Sequence, residues 1–413
     1  MRHPIWQPLC YTCQNSFSFY SIAYVLPGVK YFHLMEQHLA EILIFEDTRR
    51  SRDLTSGAVG GKILLDRTEF CIMKLQGRCM AEDQMLMNAL QLVRPRSFAA
   101  VRVPVPTLAA SNSILIRTAW VTMCGSDLAF FAGNKRFRPY PLPPGAPIHE
   151  CTGQVVESRS SLFRPGDWVV AIPEGDQGLA EFFVAQAARA VSLPPDLAAC
   201  DISCLIQPLS TVINALDRLG DVQGRSVAVV GLGSMGLLLC WLLKKRGAGP
   251  ILGIDPVADR CRAAEQWGVA RTWPLRSIEV VHAARYTPGE WEPPDICIEA
   301  VGHQMDTLND CLELVRKQGT VVAFGVPDQP VYAIEYETFF RKNAHLVAVV
   351  TPDWSEYLAR ARDLFLSYRA ELEALVTHRF PIGDAQKAFS LYERRTDGVL
   401  KVILDASRWE TTA

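Results

Sequence analysis

The chain has 413 residues, 49% of them apolar and 21% charged, with a formal net charge of −2. That length accommodates two or three domains with separate cores. The near-neutral charge offers no field for a polyanion, so neither nucleic acid nor an anionic membrane surface is an expected partner.

Twelve cysteines are scattered through apolar runs without the dense spacing of a secreted disulfide scaffold. Reduced thiols packed as small hydrophobes, in a cytoplasmic protein, are therefore expected. Residues 1–86 show no sustained helical or alternating period. Phe17–Val25 is apolar but lacks the basic leader and cleavage site of a secretory signal. Cys10 and Cys13 form a lone C-x-x-C with no second pair. This stretch is expected to be a poorly ordered extension or an over-extended gene start.

At Met87 the character changes. Asn88–Val93 alternates as a strand does, Pro95 and Arg96 mark a turn, and Phe98–Val103 resumes extended character. Ile114–Trp120 reads as another strand, and short strands separated by Pro and Gly continue to about Val191. Ser226–Leu243 is uncharged and long enough to suggest a membrane span, but three glycines interrupt it at loop spacing. A buried strand, a tight turn and a buried helix account for it better, and no transmembrane segment is expected.

From Val227 onward strands and helices alternate, as a parallel sheet requires. The strands are Val227–Val230, Ile251–Ile254, Ile296–Glu299 and Thr320–Phe324; the helices are Leu237–Arg246, Ala258–Trp267 and Asp306–Arg316. The tail adds a helix over Gly383–Glu393 and a closing strand, Val399–Leu404.

Gly231-Leu232-Gly233-Ser234-Met235-Gly236 follows the first of these strands and opens a helix. Glycines at this spacing allow a tight turn, close approach of backbone to a pyrophosphate and close helix packing. The helix N-terminus offers unpaired N–H groups to the phosphates. Asp255 ends the next strand, near the ~20-residue spacing of the acid that grips a ribose 2′-hydroxyl. A carboxylate there repels a 2′-phosphate, and the nearest cation is Arg260, a turn later, so NAD is expected over NADP.

Upstream of this loop stand Cys124-Gly125-Ser126-Asp127, His149-Glu150 and Gln207-Pro208-Leu209-Ser210. A soft thiolate with an imidazole suits zinc, and a site with three protein ligands leaves a position open for substrate. Ligands first and nucleotide loop second point to metal-assisted hydride transfer.

These motifs resemble the zinc-dependent medium-chain dehydrogenase family, the alcohol, polyol and sugar dehydrogenases. Further matches are Gly166-Asp167, Gly178-Leu-Ala-Glu-Phe182, Glu299-Ala-Val-Gly302, Gly325-Val-Pro327 and Gly398-Val-Leu-Lys401-Val. The resemblance spans roughly Met87 to Ala406. It implies an α/β chain: a GroES-like, partly β catalytic domain over 87–210, completed by 352–413, and a doubly wound Rossmann domain over 211–351. Carried over by position, Cys124, His149 and Gln207 are expected zinc ligands. Ser126 takes the substrate proton, Asp127 orients the His149 ring, and Glu150 stands beside the metal. Lys401 reaches the cofactor pyrophosphate, and the Val326 backbone lies near the carboxamide. One catalytic zinc, NAD, a small alcohol or carbonyl substrate and a homodimer or homotetramer are implied.

Three departures stand out. Gln207 occupies a position usually held by Glu or Cys, Ile148 replaces the glycine before the histidine, and the four-cysteine structural zinc lobe is missing between Ala171 and Gly178. A neutral amide ligand would leave the metal more positive and a stronger Lewis acid. Two rival readings keep the fold: a zinc-independent enone or quinone reductase, and a non-catalytic NAD-binding protein.

Overall fold

A computed structural model describes residues 85–409 apart from 135–138, 199, 288, 290 and 351. It also describes two short antiparallel strands upstream, β1 (Val25–Leu26) and β2 (Val29–Lys30). The expectation of poor order for residues 1–86 thus falls almost wholly outside the described residues, as do Cys10 and Cys13.

Cys79–Ala413 forms one compact unit. It opens with a hairpin, β3 (Leu86–Arg94) and β4 (Ser97–Pro104), joined at Pro95 and Arg96. Next come β5 (Ser113–Thr122), α1 (Gly125–Ala132), β6 (Glu150–Ser158), β7 (Trp168–Ala171), β8 (Phe182–Gln186) and β9 (Ala190–Ser192). The helix α2 (Ile206–Leu219) follows. Its Pro208 lies in the first turn, where a backbone N–H would have no intrahelical partner anyway.

Strand and helix then alternate through β10 (Val227–Val230), α3 (Ser234–Lys245), β11 (Ile251–Ile254), α4 (Ala258–Gln266) and β12 (Arg271–Trp273). The series continues with α5 (Ser277–Tyr286), β13 (Ile296–Glu299), α6 (Asp306–Leu314), β14 (Thr320–Ala323), α7 (Tyr336–Lys342) and β15 (His345–Ala348). The chain returns through α8 (Trp354–Leu372), β16 (Val376–Pro381), α9 (Ala385–Arg394) and β17 (Lys401–Asp405).

Six strands form a parallel sheet in the order β12-β11-β10-β13-β14-β15. In chain order that is the doubly wound arrangement, whose ligand crevice opens where the order reverses, between β10 and β13. Every residue of β10 and β13 is buried, as a sheet covered on both faces requires. The uncharged run from Ser226 thus resolves into β10, the glycine turn and α3. Among the described residues, no helix is long and apolar enough to cross a membrane.

The other large sheet has the order β16-β17-β5-β6-β7-β9, with β8 on β5. It joins the two ends of the unit: β17, from the tail, pairs antiparallel with β5 so that Ile403 faces Thr122, and Thr122 also faces Glu150 of β6. This register brings Lys401 to the start of β6, some 250 positions away along the chain. The resemblance expects a boundary at 210–211, which falls inside α2, a continuous helix from Ile206 to Leu219. α2 packs on both α3 and α8 and so belongs to the layer between the sheets.

Candidate active site

The nucleotide end is built from backbone. β10 stops at Val230 and α3 starts at Ser234, three residues before the start expected from periodicity, so Gly231-Leu232-Gly233 is the entire turn. Gly231 adopts a φ of 96°, and a Cβ on Gly236 would fall 1.9 Å from the Gly231 carbonyl oxygen. Only glycine lets strand and helix close so tightly. Leu232 is buried against Gly253, while Met235 and Ser234 face a cleft of about 950 Å³.

Asp255 braces the turn from β11. Its Oδ2 accepts the Leu232 N–H at 2.9 Å and its Oδ1 accepts the Val257 N–H at 2.9 Å. Arg260, which sequence spacing sets a turn away, returns to lie 3.5 Å from Asp255 Oδ2 and beside Gly233. Across the crevice, Glu299 accepts the N–H groups of Val301, Gly302 and Gly325, which ties two of the glycine-containing motifs together. The Val326 carbonyl accepts the His303 N–H at 2.7 Å, and the Val326 side chain is exposed.

The metal end is built from side chains. Cys124 caps α1, and its own N–H donates to Asp127 Oδ2 at 2.7 Å. Asp127 is 1% exposed and sets Oδ1 3.1 Å from His149 Nδ1, leaving Nε2 as the ring nitrogen for a ligand. Burial opposes a charge on His149, but the Asp127 carboxylate outweighs it and holds the imidazole well above its ordinary pKa. Burial in turn raises Asp127, against the lowering by His149. Ligand atoms of Cys124, His149 and Glu150 all lie within 4.8 Å of one another. Ser126 is half-buried in the first turn of α1, beside the cysteine.

Glu150 is also 1% exposed. Its Oε2 takes the Thr122 hydroxyl and lies 2.5 Å from Lys401 Nζ, while its Oε1 is buried without a hydrogen-bond donor. Lys401, expected to reach the cofactor pyrophosphate, is 0% exposed and spends its ammonium on Glu150. Burial would lower its pKa, but Glu150 and Cys124 raise it above the ordinary lysine value.

Gln207 lies in the first turn of α2. The turn preceding it is fastened to β6 by Thr152, whose hydroxyl meets Ser203 Oγ at 2.9 Å and Cys204 Sγ at 3.2 Å. Gln207 is buried, and its Oε1 also has no donor. The Glu150 oxygen without a donor, clustered with a thiol and an imidazole, suits a cation, because such an atom is otherwise costly to desolvate, and the Gln207 oxygen is likewise buried without a partner. The donor set is mixed S, N and O, which fits zinc.

Burial pushes Cys204 up to about 12 and Cys151 well above its usual value, as inert packing cysteines require. All eight described cysteines are free. Ile148 is fully buried, its carbonyl held by the Gly178 N–H at 3.0 Å, so the turn before His149 is anchored without a glycine there. Between Ala171 and Gly178 the chain makes only a short 3₁₀ turn, Glu174–Asp176. Phe131 and Trp168 are packing residues: the first stacks on Phe98 in the core and the second on Trp120.

Sequence reasoning passed over Thr122 and Tyr392. Tyr392 is 4% exposed, yet it forms part of the cleft wall opposite the glycine turn, and its hydroxyl lies 3.5 Å from Ser234 Oγ. The one available signal was a tyrosine on the apolar face of α9, where its phenol needs a partner once buried.

Fold and site together define an oxidoreductase: a doubly wound nucleotide-binding sheet whose glycine turn lines a cleft together with Gly125, next to a thiol of a Cys–His–Glu cluster that could hold a metal. Comparison with known proteins specifies the class. Residues 110–195 match the alcohol dehydrogenase GroES-like domain model and residues 234–367 the zinc-binding dehydrogenase model. The chain is 26% identical to sorbitol dehydrogenase from Gallus gallus, over 71% of this chain and 89% of that one. It is 25% identical to L-threonine 3-dehydrogenase from Caldanaerobacter subterraneus subsp. tengcongensis, over 71% and 91%. The solved alcohol dehydrogenase TADH from Thermus sp. ATN1 superposes with a TM-score of 0.67 at 27% identity, over 77% of this chain and 99% of that one. The chain belongs to the zinc-dependent medium-chain dehydrogenase family.

Proposed function

We propose that this protein is a zinc-dependent dehydrogenase that moves hydride between a secondary alcohol of polyol, sugar or cyclitol type and NAD. One observation carries the reading. The cluster of Cys124, His149 and Glu150 adjoins Gly125, and Gly125 and Ser234 line the same cleft. The neighbour of a ligand candidate and the nucleotide loop thus share one cleft, which supports a metal centre next to the nucleotide. The sorbitol and threonine dehydrogenase relatives support an alcohol substrate. The clustering favours this reading over a metal-free enone or quinone reductase and over a non-catalytic NAD-binding protein.

Zinc held by Cys124, His149 and Gln207 would supply Lewis acidity at the substrate oxygen, and the nicotinamide would accept the hydride. The chain's own residues do the rest. Asp127 fixes the ring of His149, Ser126 takes the hydroxyl proton, and Lys401 with Thr122 holds Glu150 beside the ligands. The first turn of α3 binds the diphosphate. Asp255 supports NAD over NADP, since its carboxylate disfavours a 2′-phosphate. The two large sheets support the division into a catalytic domain over 87–210 with 352–413 and a nucleotide domain over 211–351. A homodimer or homotetramer accords with the open edge of the parallel sheet at β15, where Leu346 is exposed, as is Val350 just beyond it.

The test is a screen of NAD reduction over polyols, sugars and amino alcohols, with Cys124→Ala as control. A substrate turned over by the native protein and lost in the variant is expected. Turnover that survives Cys124→Ala overturns the zinc mechanism.

A further inference from the structure

We propose that Tyr392 is a positioning residue. Its hydroxyl, paired with Ser234 at the start of α3, joins the dinucleotide diphosphate on binding and transmits that occupancy through Lys401 and Glu150 to the metal pocket. The inference rests on the dinucleotide reading of the cleft.

Three placements support it. Tyr392 sits near the end of α9, which packs against α1, whose cap is Cys124, and against β17, whose first residue is Lys401. Ser234 is the first residue of α3, at the point where unpaired N–H groups attract an anion, and the residue is 3% exposed. The Tyr392–Ser234 contact is 3.5 Å, the long end of a hydrogen bond, so the phenol is not committed to a strong partner. Behind it, Lys401 and Glu150 form an ion pair at 2.5 Å that is wholly out of water.

Chemistry gives the phenol a definite task. Burial raises its pKa, so it remains a proton donor, and a buried O–H donating to a phosphate oxygen is a charge-assisted bond. Arg260 lines the same cleft as Tyr392, and α9 packs on β17, which begins at Lys401. A phenylalanine would fill the same space in α9 and provide none of this.

Tyr392→Phe keeps the ring and tests the hydroxyl alone. Binding is followed by protein fluorescence and calorimetry with NAD, ADP-ribose and adenosine. The variant should bind NAD and ADP-ribose about tenfold more weakly, the loss of one hydrogen bond to a charged group. Adenosine, which has no diphosphate, should bind as before. In cobalt-substituted protein, NAD should shift the visible absorption of the native site, and saturating NAD should produce less of that shift in the variant. Ser234→Ala, which removes the partner from the other side, should reproduce the weaker ADP-ribose binding if the tyrosine variant folds poorly.

Unchanged ADP-ribose affinity, or an equal loss for adenosine, overturns the role at the diphosphate. A full cobalt shift in Tyr392→Phe overturns the coupling. Failure of the native protein to bind NAD or ADP-ribose would instead refute the dinucleotide reading itself.

Discussion

The two ends of the cleft are made in different ways. At the nucleotide end nearly every contact is backbone: glycines that permit a turn, N–H groups at a helix start, and Asp255 and Glu299 bracing the loops through main-chain amides. At the metal end most contacts are side chains, gathered from β5, the start of α1, the start of β6 and β17. The first end is therefore local and tolerant of side-chain change except at its glycines. The second depends on the register of one sheet, in which β17 must pair with β5 to bring Lys401 onto Glu150.

The contrast can be broken most sharply at Lys401. Lys401→Met leaves the Glu150 carboxylate buried without its countercharge, and the cost of removing one member of a buried pair is about 3–5 kcal/mol. Denaturant unfolding of the metal-free variant should show that loss, and adding Glu150→Gln should restore most of it. Retained stability in Lys401→Met would mean the pair does not hold this end together. No single side chain of the glycine turn, glycines aside, is expected to cost as much.

Gln207, the proposed third ligand, sharpens the comparison. Gln207→Glu adds an anionic oxygen donor, so zinc should be held about tenfold more tightly, in line with the effect of altering a ligand's surroundings. Competition against a chelator reads it. Equal affinity would place Gln207 outside the ligand set.

The smallest effect belongs to the nucleotide sheet. The Asp295 carboxylate is held at about 2 by Arg316 and by the Ser226 N–H and hydroxyl, which join the starts of β10 and β13. A depressed carboxylate stabilises the fold above its unfolded pKa, and that contribution disappears as the pH falls through the folded value. Asp295→Asn should therefore cost about 1 kcal/mol at neutral pH, after allowance for solvent screening. The gap from the native protein should close between pH 4 and pH 2. A gap independent of pH would contradict it.

The same contrast explains what could be read in advance. The parallel sheet and its glycine turn were legible because a fully buried strand, a tight turn and a helix leave a contiguous pattern from Val227 to Lys245. β10, β11 and β13 match the expected ranges, and α3 ends one residue earlier than expected and starts at Ser234, since the turn is shorter than periodicity alone indicates. At the metal end no local pattern joins Cys124, His149 and Gln207; only a resemblance does. What the resemblance left out follows from sheet register. Lys401 goes to Glu150 rather than into the cleft, and Thr122 and Tyr392 acquire roles through neighbours far away in sequence.

The central claim is that the two ends act on one substrate, with the metal end indispensable. The most direct measurement is zinc content together with NAD-linked turnover of a screened alcohol before chelation, after chelation and after zinc is returned. The account predicts about one zinc per chain, turnover lost with the metal and restored with it, and NAD binding kept throughout. Turnover that continues in zinc-free protein would contradict it.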